Sequence, residues 1–87
     1  MAVVVEMQNT GSEEVQRDVA AMVEHVLAER PGDWRVSIIG SQARDTWEMK
    51  IFGPHGFERS YTLECSAGEH KAEVIAYILR RMVLGAS

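Results

Sequence analysis

Early in the chain, apolar residues return every three or four positions. Val15, Val19, Met22, Val23 and Val26 form this stripe, while Glu13, Glu14, Arg17, Asp18, Glu24 and Glu29 lie off it. The spacing predicts an amphipathic helix. Thr10 followed by Glu13 has the capping-box pattern that opens such a helix. Pro31-Gly32 closes it, because proline donates no backbone N–H and restricts the residue before it. The period then changes to two. Trp34, Val36 and Ile38 alternate with Arg35, Ser37 and Ile39. After a polar loop, Gly40–Asp45, Trp47, Met49 and Ile51 alternate with Glu48, Lys50 and Phe52. A third run sets Phe57, Arg59, Tyr61, Leu63 and Cys65 on one face, and Glu58, Ser60, Thr62 and Glu64 on the other. Gly53-Pro54-His55-Gly56 supplies a turn, with Pro54 at the second position and Gly56 free to take a positive φ. These runs predict three one-sided strands in an antiparallel meander.

The last segment repeats the opening device. Ser66 with Glu69 is a second capping-box pattern, and Val74, Ile75, Ile78, Leu79 and Met82 form a second helical stripe. Arg80 and Arg81 suit the final turns, and Gly85 suits the position just beyond them. The predicted order is α-β-β-β-α. One apolar sheet face and two apolar helix stripes imply an α+β two-layer sandwich, with a three-stranded antiparallel sheet and both helices on one face. Its middle is expected near Trp34, Trp47, Tyr61, Met22 and Ile78. Met1–Met7, rich in β-branched residues, reads as an extra strand or an ordered tail. Residues 1–87 are expected to form a single domain, with 1–9 as that tail or short strand.

Charge changes the picture only modestly. Nine basic against thirteen acidic residues leave a net charge of −4. Most of the surplus falls on the first helix, where Glu13, Glu14, Asp18, Glu24 and Glu29 outnumber Arg17 and Arg30. Such a field repels phosphate, so nucleic acid and anionic membrane are not the expected partners. The apolar runs are too short to span a bilayer, and the start lacks a basic region leading into an apolar one. A single cysteine excludes an internal disulfide and suits a reducing compartment. The expected location is cytoplasmic.

Chemistry-bearing residues are few. Cys65 and His70 lie five apart with no second pair of ligands, which matches no zinc pattern. No metal or cofactor is expected. Cys65 shares its face with Leu63 and reads as a buried, inert thiol, while His25, His55 and His70 read as edge or turn residues. Glu58 and Glu64 line an open sheet face with Glu48 and Lys50 rather than a cleft, so no catalytic residues are assigned and the protein is not expected to be an enzyme. Gly53–Gly56 joins two strands, whereas a phosphate loop feeds a helix.

The α-β-β-β-α order is similar to that of the double-stranded-RNA-binding domain from Thr10 to Leu84. The residues depart from that family. Where such domains start their second helix with lysines, this chain reads Gly68-Glu69-His70-Lys71-Ala72-Glu73. The Gly53-Pro54-His55 motif falls between the second and third predicted strands, not the first and second. The expected function is therefore a non-catalytic protein–protein interaction module or homodimeric accessory protein, its partner a protein or a second copy. The candidate interaction residues are Ile39, Phe52, His55, Val3 and Val5. A nucleic-acid binder using Arg35, Arg44, Lys50, His55 and Arg59 is the alternative.

Overall fold

A computed structural model describes residues 2–41 and 43–84. The chain is an α+β fold of two helices and a four-stranded mixed sheet: β1 (Val3–Gln8), α1 (Glu13–Ala28), β2 (Trp34–Ser41), β3 (Thr46–Phe52), β4 (Glu58–Glu64) and α2 (Ala72–Leu84). Strand order follows chain order. The three predicted strands pair antiparallel as expected, and the extra amino-terminal strand forms over Val3–Gln8, lying parallel to β2. The sheet is therefore mixed rather than three-stranded and antiparallel. A parallel pair needs a crossover, and α1 provides it.

The register explains the core. Val5, Val36 and Ile51 stand side by side, as do Met7, Ile38 and Met49, and Trp47 stands between Gly40 and Leu63. Those positions join Val19, Val23, Val26 and Leu27 of α1 and Ile75, Ile78, Leu79 and Val83 of α2 in one apolar cluster. Both tryptophans are buried as predicted, Trp34 at 4% and Trp47 at 7% exposure. They mark opposite ends of the cluster, because each stands at or next to the start of one of two antiparallel strands. Tyr61 departs from expectation. It has the core-facing parity, opposite Met49, yet is 37% exposed, since β4 is the edge strand and little covers it. Met22 is only half-buried. The predicted role of Gly85 lies outside the described residues.

Both caps are displaced from their predicted positions. Ser12, not Thr10, caps α1: its Oγ accepts a hydrogen bond from the Val15 N–H at 3.3 Å. Thr10 is instead 3% exposed, and its Oγ1 has no hydrogen-bond partner among the described residues. Ser12→Ala should therefore cost about 1 kcal/mol through the lost cap. Thr10→Val keeps the shape, removes an unpaired buried hydroxyl, and should not destabilise at all. Urea melts of the two variants against wild type measure both. In the second case, Cys65–Ala67 is a 3-10 turn that Gly68 ends at φ 81°, so α2 begins several residues after Ser66. Glu69 does reach back, but to the end of β4. Its carboxylate accepts from the Glu64 N–H at 2.8 Å and from the Tyr61 hydroxyl at 3.2 Å. That contact with Glu69 raises the Tyr61 pKa above its ordinary value.

The β3–β4 turn is also tighter than expected. Pro54 opens it as predicted, but His55 and Gly56 both take the left-handed conformation, at φ 59° and 77°. The Gly53 N–H donates to the Phe57 carbonyl at 2.8 Å, which closes the hairpin.

Candidate interaction surface

The alternate residues of each strand form a second face, turned away from the core. In register across it stand Val4, Arg35, Phe52 and Glu58; then Glu6, Ser37, Lys50 and Ser60; then Gln8, Ile39, Glu48 and Thr62. Three apolar side chains on this face are open to solvent: Val4 at 43%, Ile39 at 45% and Phe52 at 37%. Arg35 reaches Glu6 at 4.0 Å, a solvent-exposed contact that contributes little stability.

Of the five predicted interaction residues, Ile39 and Phe52 share this face. Val3 and Val5 do not: their parity in β1 turns them inward, half-buried against the core. His55 stands apart, exposed at the hairpin turn. Val4 was missed because Val3–Val5 is uniform valine; only Glu6 and Gln8, which share its parity, mark it as outward.

The edges of the sheet differ in kind. The β4 edge carries Glu58, Arg59 and Glu64, all exposed. β1 reads Val-Val-Val-Glu-Met-Gln, with no proline, no lysine and one charge. Its backbone polarity follows from a single contact. The Ala2 carbonyl accepts from the Trp34 N–H at 2.8 Å and so points toward β2. Because backbone groups alternate along a strand, those of Val3, Val5 and Met7 point away from the sheet.

The basic residues of the nucleic-acid reading do not gather. Arg35 and Lys50 share the outer face, while Arg59 stands opposite Ile51 on the other side, with its guanidinium 5.0 Å from the Phe57 ring centre. Arg44 lies in the β2–β3 turn. At the far end of the sheet, the structure brings together residues that the spacing left apart. Cys65, His70, Asp45, Thr10 and Ser41 line one shallow depression of about 510 Å³, beneath which the His70 ring meets Trp47 edge-on. Burial, and then the nearby Asp45 carboxylate, push the Cys65 thiol above its ordinary pKa, so it stays protonated and weakly nucleophilic at neutral pH. Among the described residues, no three His, Cys, Asp or Glu side chains cluster as a metal site. Nor is any described helix long and apolar enough to cross a membrane.

No protein-family model matches the chain, and no curated protein or solved structure is significantly similar to it. Its function is therefore argued from its own surfaces.

Proposed function

We propose that the protein is a non-catalytic protein–protein interaction module that acts as a homodimer, joined through the free edge of β1. The observation that carries this reading is that edge: six residues long, rich in valine, with no proline, no lysine and a single charge to blunt pairing. In this reading the sheet and helices form a two-layer sandwich, and the protonated thiol fits a reducing, cytoplasmic setting.

Two copies of β1 pair antiparallel about a two-fold axis through Val5, whose N–H and C=O already face outward. Val4 then stands opposite Glu6 of the second copy, and Val3 opposite Met7. No like charges meet, and the half-buried Val3, Val5 and Met7 gain apolar cover from the other subunit. The β4 edge fits the role less well. Centred on Tyr61, β4 would set Glu58 against Glu64 of the second copy.

Sedimentation equilibrium of the full chain should give the dimer mass. Val5→Pro deletes one outward N–H on an edge strand, where proline is tolerated, and should give a folded monomer. Amide exchange supplies the second measurement. The Val3, Val5 and Met7 amides should exchange more slowly as wild-type concentration rises, while the Val4 and Glu6 amides are protected throughout. A wild-type monomer at about 200 µM (a dimer Kd far above that, and so association weaker than roughly −5 kcal/mol), or outward amides indifferent to concentration, would overturn the reading.

A further inference from the structure

The end of the sheet remote from Cys65 carries a cleft of about 260 Å³, lined by Arg30, Pro31, Gly32, Trp34, Pro54, His55 and Phe57. We infer that this cleft is a binding site for an apolar group ending in a carboxylate, the chemistry of a peptide's C-terminal residue or of a small free aryl or alkyl acid.

The walls are apolar and fixed. Trp34 and Phe57 meet edge to face with ring centres 5.4 Å apart, and the Trp34 indole N–H donates to the Pro31 carbonyl at 3.2 Å. Two glycines let these walls close. A Cβ on Gly53 would lie 2.5 Å from the Trp34 ring, and one on Gly32 would lie 2.7 Å from Pro54 Cγ. The first contact seats the indole against the β3 end. The second locks the α1–β2 turn against the β3–β4 turn. Both turns are short and hydrogen-bonded, with the Arg30 N–H on the Leu27 carbonyl at 2.9 Å and the Phe57 N–H on the Pro54 carbonyl at 3.2 Å. The cleft is thus formed before any ligand arrives, which removes the ordering cost of binding.

Its size and charge select the ligand. Drug-sized pockets run from roughly 300 to 1,000 Å³, so this one suits a single aromatic or branched side chain. The lining includes two potentially cationic residues, Arg30 and His55, and no acid, in a chain whose net charge is −4. An arginine in the lining of an apolar cleft can offer a carboxylate two parallel N–H donors while the ligand's apolar end meets the aromatic wall. A neutral ligand of the same shape would leave that guanidinium unused. His55, in the left-handed conformation at the turn tip, is also part of the lining.

The test uses the full chain carrying Trp47→Phe, so that Trp34 is the sole indole. The probes are 3-phenylpropionate, its neutral amide, and the peptide acetyl-Gly-Gly-Phe with a free or an amidated C-terminus. Trp34 fluorescence and the indole N–H resonance are followed through each titration. A saturable change with the free acid or the free-carboxylate peptide is expected, and whichever binds more tightly identifies the source of the chemistry. Each neutral counterpart should bind at least about fivefold more weakly, and Arg30→Gln should erase that preference. Arg17→Gln, on the exposed face of α1, should leave it intact, and so should Val5→Pro, which keeps this test separate from that of the β1 edge. If Trp47→Phe impairs folding, the Trp34 indole N–H resonance of wild type serves instead. No response to either acid, equal binding of acid and amide, or an unchanged preference in Arg30→Gln would overturn the assignment.

Discussion

Replacing Trp47 by alanine lowers the free energy of unfolding by about 3–5 kcal/mol, the range for deleting a buried aromatic side chain. Domains of this length hold roughly 4–13 kcal/mol in total, so the loss is a large fraction of the stability available. The effect is large because the indole serves three neighbours at once. It stands in register between Gly40 and Leu63, both buried, and its ring forms the floor under His70 at 6.0 Å between centres. Truncation therefore opens a cavity where β2, β3, β4 and the segment leading to α2 converge. Too many fixed backbones surround the cavity for it to collapse. Urea denaturation followed by far-ultraviolet ellipticity measures the loss. Tyr77→Ala is the matched control. Tyr77 is also aromatic but 59% exposed, and it touches mainly Arg81, so its loss should stay below about 1 kcal/mol. Equal losses for the two variants would show that Trp47 is not held in the core.

The pattern of apolar positions carried both helical stripes, the parity of every antiparallel strand and the burial of both tryptophans, because each is written within a few neighbouring residues. What escaped was set by distant contacts. A parallel pairing of β1 with β2 leaves no local trace, since its partners lie about thirty positions apart, as with Val3 and Trp34. Tyr61 had the right parity and the wrong exposure, because parity says which face a residue takes but not whether a helix reaches that far across. Ser12 and Thr10 are both good caps by composition. The choice between them rests on the backbone: Gly11 at φ 91° and Asn9 at φ 56° turn the chain so that Ser12, not Thr10, faces the first free N–H groups. The interaction surface was half legible. Ile39 and Phe52 stood out as apolar residues at polar positions of a strand. Val3 and Val5 could not be turned inward until β1 had a partner. The cleft at Trp34 was not legible, because it joins two turns separated by more than twenty residues.

Gly40→Ala gives the second large loss, and its sign separates two physical effects. Strand propensity alone predicts a gain of roughly 0.5–1 kcal/mol, since glycine in a strand interior loses more backbone entropy than alanine on folding. Gly40 has no positive φ to protect, so alanine meets no conformational objection there. The steric objection is severe. A Cβ at this position would lie 1.9 Å from the Asn9 carbonyl oxygen and 3.3 Å from Trp47 Cδ1. The oxygen belongs to the main chain at the end of β1, just where it turns toward α1, so no side-chain rotation relieves the clash. Either β1 lifts from β2 or β2 shifts against Trp47. Overpacking of this kind costs about 1–3 kcal/mol or somewhat more, and a rigid backbone neighbour places Gly40 at the upper end. A destabilisation of about 3 kcal/mol is expected, with the Gln8 amide losing exchange protection before those of β3. If β1 lifts, the edge proposed to join two subunits is lost with it, so under that proposal the variant should also sediment as a monomer at concentrations where wild type is a dimer. A Gly40→Ala protein as stable as wild type, with Gln8 still protected, would show that β1 does not lie against β2 as described.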